Sequence, residues 1–152
     1  MNVSTLQDFV AKTTARNRIT FGDVRRLQRD VLPDGVSSRP QAELLLRLDA
    51  AVARVDRAWI DWLVAAITDF VVWGERPTGA VETEAALWLK ELLAAAGTPT
   101  KAARRIAREI RRQAERVEEP LASFATEDEP AAPQAATGLP AAEPIEAVPL
   151  AA

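Results

Sequence analysis

The sequence predicts an all-α protein: a compact bundle of five to six helices built from two helix–loop–helix units over residues 3–117, followed by a disordered tail over residues 118–152. Three observations predict it. Apolar residues recur at three- and four-residue intervals through the first 117 positions, the spacing that gathers them on one face of a helix. No stretch alternates apolar and polar residues as a half-buried strand does. Proline and glycine corners interrupt the helical pattern where a bundle has to turn.

Ser4 followed three residues later by Gln7 has capping-box spacing, and Leu6, Phe9, Val10 and Thr13 form one face of a first helix. Thr20 with Asp23 opens a second, with Phe21, Val24, Leu27 and then Val31 or Leu32 as its apolar face. Pro33, Asp34 and Gly35 stop it. Ser38 with Gln41 restarts the chain, and Pro40 is tolerated in a first turn. The third helix carries Ala42, Leu45, Leu46, Leu48, Ala51, Val52 and Val55, and Asp56 is a cap for the next. Residues 57–73 are apolar almost all round, which marks a helix buried on most sides, with Trp59, Trp62 and Trp73 on different faces. After a loop at 74–79, residues 81–96 form a helix closed by Gly97. Thr98 and Pro99 cap and prime the last helix, which runs to about Val117 with Ala103, Ile106, Ile110, Ala114 and Val117 as its seam.

Beyond Pro120 the chain is alanine, proline and acid, too poor in large apolar groups to offset chain ordering. Charge is divided along the sequence. Residues 101–116 hold seven basic and two acidic side chains, and residues 118–152 hold seven acidic and no basic ones, while the whole chain carries −3. The chain contains no histidine, cysteine or tyrosine. That removes the usual proton shuttle near neutral pH, the thiolate nucleophile and the imidazole and thiolate metal ligands. No phosphate-binding glycine loop, nucleophile elbow or dinucleotide fingerprint occurs. The most apolar stretch, 58–73, contains Asp61 and Asp69 and is too short to cross a bilayer, and the N-terminus lacks a secretory apolar run. The expectation is a cytoplasmic protein, and the excess of arginine over lysine with much alanine and proline points to a bacterial source.

Two segments repeat at an offset of 44: Pro33 falls on Pro77, Gly35 on Gly79, Ala42 on Ala86 and Leu45 on Leu89. The Asp34–Gly35 turn, the run Gln41, Ala42, Glu43, Leu44, Leu45 with Leu48, and Asp56, Trp59, Ala66, Ile67, Thr68 and Asp69 further on together resemble the tellurite-resistance TerB-like helical family. The resemblance covers residues 19–96. It implies an all-helical bundle and a binding or stress-linked accessory role, with Ca2+ or another divalent cation as ligand. Carried over on matching positions, it offers Asp34 and Asp69 as cation ligands, and Glu43 beside them.

Spacing adds Asp30 and Asp61 to that set. Asp61 and Asp69 are eight apart on one helix, hence nearly on one face, and with Asp30, Asp34 or Glu43 they form an oxygen cage if the helices converge. Otherwise they pair with arginines such as Arg25 or Arg29, or lie on an exposed stripe. An EF-hand-like loop at 30–41 has Asp30, Asp34 and Gly35 in place but Leu32 and Gln41 where further carboxylates belong, too few for a cation that takes about six to eight oxygens.

The last helix is the strongest interaction signal. Arg104, Arg105, Arg108, Arg111 and Arg112 crowd the side opposite its apolar seam, a surface for nucleic-acid phosphates, for an anionic membrane (though the alanine-rich apolar face lacks aromatic anchors), or for plain solvation with local glutamates or the tail. No aromatic residues interleave the arginines, which disfavours single-strand stacking. The leading expectation is a non-catalytic binding or regulatory protein with a protein partner. A nucleic-acid-associated accessory factor using the basic helix is the alternative, and an enzyme built on Asp61 and Asp69 ranks last.

Overall fold

A computed structural model describes residues 3–95 and 97–127. The expected disordered tail from residue 128 onward lies outside them. The elements are α1 (Val3–Arg16), β1 (Arg18–Ile19), α2 (Phe21–Arg26), α3 (Arg39–Ala51), β2 (Arg54–Val55), α4 (Arg57–Asp69), β3 (Ala80–Val81), α5 (Thr83–Leu93), α6 (Lys101–Gln113), β4 (Arg116–Val117) and α7 (Leu121–Glu127). Both α2 and α4 run on into π-helical turns, Leu27–Val31 and Phe70–Gly74. The all-α expectation holds, with seven helices among the described residues instead of five or six. No described helix is long and apolar enough to cross a membrane.

Caps fix the boundaries. At α2 the Thr20 hydroxyl accepts the Asp23 N–H at 3.1 Å, and the Asp23 carboxylate accepts the Thr20 N–H at 2.9 Å. Gly35 then turns the chain at φ 79°, in the left-handed region that glycine enters without a Cβ clash. Ser38 occupies the N-cap of α3 but makes no side-chain cap, and the Gln41 side chain instead accepts the Ser37 N–H at 2.8 Å. Asp56 caps α4 through the Ala58 N–H at 2.8 Å. The last long helix is capped by Thr100, not Thr98, and ends at Gln113, because Arg116 and Val117 leave it to pair as a strand.

Helix α4 is the central element. It packs against α6 and α2, while α1 lies on α3 and α7 lies on α5 and α6. Trp59, Leu63 and Ile67 on α4 are fully buried, and so are Ile106 and Ile110 on α6. Three large apolar side chains among the described residues are exposed, Leu87 on α5 at 49 % and two more at the ends of helices. Phe21 is 55 % exposed at the start of α2, with the Arg25 guanidinium 5.9 Å from its ring centroid. Trp73 is 46 % exposed at the π end of α4, its indole N–H 3.4 Å from Gln113 Oε1.

The packed chain also extends past Val117, the expected end of the bundle. Helix α7 buries Leu121 completely and Phe124 to 8 % exposure, so residues 121–127 belong to the bundle. Two apolar side chains suffice here because α7 settles into a place already framed by α5 and α6.

The architecture repeats. The π-turn, glycine-corner and helix sequence recurs at the 44-residue offset, with Gly35 and Gly79 at φ 79° and 81°. A longer period organises more of the chain. Arg18 to Ala80, Arg39 to Lys101 and Arg54 to Arg116 are each 62 positions apart, so that β1, α2 with its π turn, α3 and β2 correspond to β3, α5, α6 and β4. Strand β1 pairs with β2 in parallel, Arg18 opposite Arg54, as β3 pairs with β4, Ala80 opposite Arg116. The bond from the Asp56 N–H to the Ile19 carbonyl (2.9 Å) recurs from the Glu118 N–H to the Val81 carbonyl (2.8 Å). Helix α1 packs on α3 as α4 packs on α6, and α2 on α4 as α5 on α7. Each unit is therefore closed by the first helix of the next.

Candidate binding surfaces

The five carboxylates expected to form a cation cage do not meet. Asp30 lies on the surface beside Arg29, 3.2 Å away. Asp34 is exposed in the turn after α2, and Asp69 is exposed on α4. Glu43 faces α5 and accepts the Trp88 indole N–H at 2.9 Å. Asp61 faces α6, 2.7 Å from Arg105, with Arg57 of its own helix at 3.8 Å. Its arginine partners are thus Arg105 and Arg57, not Arg25 or Arg29. Each carboxylate that has a partner is turned toward a different element, and among the described residues no group of three or more Asp, Glu, His or Cys gathers to hold a metal ion.

Helix α6 divides as its periodicity implies. Ala102, Ala103, Ile106, Ala107 and Ile110 face inward, and the basic residues lie outside. Arg104, Arg105 and Arg108 are half-buried; Arg111 and Arg112 are exposed. Most of this charge is engaged. Arg105 reaches across to Asp61, whose carboxyl is held below its ordinary range first by that hydrogen bond. Arg112 binds Glu109 one turn back, and the Arg112 contact followed by Gln113 holds the Glu109 carboxyl down. Arg111 comes within 3.4 Å of the Ala122 carbonyl of α7.

Sequence reasoning missed a highly connected charge, Arg39. Arg39, at the first position of α3, places Nε 2.7 Å and Nη2 3.1 Å from the two oxygens of Glu75. Its Nη1 and Nη2 lie 2.8 and 2.9 Å from those of Glu84. The same guanidinium stacks on Trp88, 4.5 Å from the ring centroid. Planar, bidentate and stacked contacts are what guanidinium supplies and ammonium does not. Glu84 and Trp88 are four apart on α5 and so share a face, which is the local signal that was available; Glu75 and Glu84 lie 36 and 45 residues from Arg39, beyond any local pattern. Around Arg39 a cleft of about 400 Å³ is lined by Ser37, Ser38, Glu75, Arg76 and Glu82 among others.

Asp49 on α3 is buried, with an indole and a hydroxyl as its partners. It accepts from Trp59 Nε1 at 2.9 Å and from the Thr100 hydroxyl. Asp23 is buried as well. Burial acts to raise its carboxyl, but the Thr20 N–H, the Arg16 guanidinium and the Thr20 hydroxyl outweigh burial and hold it below 3.8.

Comparison with known protein families, with curated proteins and with solved structures matches nothing.

Proposed function

We propose that this chain is a non-catalytic binding protein with a regulatory or accessory role, offering the outer face of α6 to an acidic protein partner. One observation carries the reading. Among the described residues, each carboxyl group whose titration is displaced, namely Asp23, Asp61, Glu84, Glu109 and Glu119, is displaced downward. A carboxyl used as a general acid is raised toward neutrality, whereas one that holds an arginine or a cap is lowered. Carboxylates here are spent on positioning.

The resemblance to TerB-like proteins agrees with an accessory role. Of the residues that carry it, Gly35 makes the turn, Ala42, Leu45 and Leu48 lie on the buried side of α3 and Trp59, Ile67 and Thr68 on that of α4, while Asp34, Asp56 and Asp69 are exposed. No cation enters the proposal, because Asp30, Glu43 and Asp61 are turned to separate partners and Asp34 and Asp69 join no cluster of carboxylates among the described residues.

Exposed Lys101, Arg111 and Arg112 keep the nucleic-acid reading in view. Against it, Asp61 and Glu109 offset two of the arginines. The experiment compares full-length wild type with a Lys101→Glu, Arg112→Glu variant, folding being checked by circular dichroism. A protein captured from the native cell by wild type and lost by the variant is the expected result. A gel shift of duplex DNA or RNA that weakens steeply with salt transfers the role to nucleic acid. Turnover of any substrate in a broad hydrolase screen, abolished by Asp61→Asn, refutes the non-catalytic reading.

A further inference from the structure

The parallel register of β1 and β2 sets Arg18 directly beside Arg54. Like charges opposite each other across two strands repel. Both side chains are exposed, and among the described residues neither has an ion-pair partner. Between them the surface dips into a shallow depression of about 250 Å³, lined by Arg18, Ile19, Thr20, Arg54, Val55 and Asp56.

The polar groups at its rim are otherwise committed. Asp56 gives one carboxylate oxygen to the Ala58 N–H, 2.8 Å away. The Thr20 hydroxyl is occupied with Asp23, donating to its carboxylate at 3.0 Å and accepting its N–H at 3.1 Å. The caps of α2 and α4 are thus filled from within, and the depression offers two guanidinium groups against the single exposed carboxylate of Asp56.

The second unit shows how the same backbone arrangement satisfies its arginine. Sixty-two positions on, Arg116 stands for Arg54, with Ala80 for Arg18, Glu82 for Thr20 and Glu118 for Asp56. There Arg116 lies 3.0 Å from Glu118 and 3.7 Å from Glu82. Carboxylates flank the arginine on both sides, and no second arginine stands opposite. In the first unit the arginine is doubled, one flanking carboxylate is replaced by threonine, and the other is turned to a helix cap. The first unit holds the cations of an ion-pair cluster whose anion the described residues do not supply.

We infer that the β1–β2 depression binds a phosphate group, either inorganic phosphate or a phosphate monoester, held between the guanidinium groups of Arg18 and Arg54. Two guanidinium forks match a dianion with three or more acceptor oxygens better than they match a single carboxylate. Binding relieves the Arg18–Arg54 repulsion, a gain that the already neutralised Arg116 cluster does not have. The site is independent of α6 and of the Arg39 cleft, so it stands or falls apart from the proposed partner surface.

The test follows the arginine side-chain Nε–Hε resonances of full-length protein during titration with inorganic phosphate, O-phosphoserine or acetate, with chloride holding ionic strength constant. Arg18 and Arg54 signals move and saturate with phosphate, and Arg116 signals do not. Tighter binding of O-phosphoserine identifies an ester-borne phosphate as the ligand class, and tighter binding of inorganic phosphate identifies the free anion. Arg18→Ala, which installs the residue the second unit carries at Ala80, weakens binding by about tenfold or more, as does Arg54→Gln; Arg116→Gln leaves it unchanged. The inference is overturned if acetate matches phosphate, if chloride alone reproduces the shifts, or if Arg18→Ala binds as tightly as wild type.

Discussion

The hydroxyl of Thr100, at the N-cap of α6, donates to the buried carboxylate of Asp49 in α3, joining the two repeated units inside the core. Thr100 also accepts the Ala103 N–H at 3.0 Å, so one side chain starts a helix and anchors it. The second Asp49 oxygen receives the Trp59 indole N–H. Asp49→Ala leaves that N–H unpaired in an apolar surround and costs about 2–3 kcal/mol. Asp49→Asn keeps an acceptor oxygen and costs less. Urea unfolding followed by tryptophan fluorescence measures both, and a cycle with Thr100→Val reads their coupling.

Helix α7 completes the second unit, so shortening the chain is more harmful than its composition suggests. Leu121→Ala costs about 3 kcal/mol, the range for a buried leucine whose cavity cannot fully collapse. A chain ending at Val117 should melt well below one ending at Glu127. Differential scanning calorimetry of the two lengths gives the comparison.

Arg39→Lys tests the planar contacts directly. Lysine keeps the positive charge but cannot serve Glu75 and Glu84 with paired bonds while lying flat on Trp88. A loss of about 1 kcal/mol is expected, most of it from the stacked contact, since Glu84 is largely in solvent. A blue or red shift of the Trp88 emission, isolated by comparison with Trp88→Phe, reports the change at the ring.

Acid stability has a definite direction. The Asp23 carboxyl sits below 3.8 in the folded protein, so its contribution is complete above that value and is lost as pH falls through the lowered one. Asp61, Glu84, Glu109 and Glu119 share the direction, but their exposed pairs are screened by salt. With no histidine in the chain, no side chain of ordinary pKa titrates near neutrality. Thermal melting should be flat between about pH 6 and 8 and should fall below about pH 4. Asp23→Asn lowers the plateau and makes the acid limb shallower.

The helices were legible because apolar spacing and caps are local signals: Thr20 with Asp23, Asp56 before Ala58, and the inward Ala103, Ile106 and Ile110 all stand where their spacing puts them. The strands were not legible, since two residues cannot display alternation. The 44-residue echo was visible through proline and glycine corners. The 62-residue period keeps few identities, among them Leu27 with Leu89, Gly35 with Gly97, and Arg54–Val55 with Arg116–Val117. It is written in geometry more than in residue type. At the candidate sites, the basic face of α6 was readable from one helix alone. The Arg39 cluster and the Arg18–Arg54 pair required knowing which distant segments meet.

Because α7 takes the same station against α5 that α4 takes against α2, the chain follows a rule of growth as well as a fixed shape. Each module borrows its lid from its successor, so a further copy grafted after Glu127 would find its docking edge already cut. Removing the final lid, by contrast, uncovers greasy surface that nothing downstream in the described chain replaces.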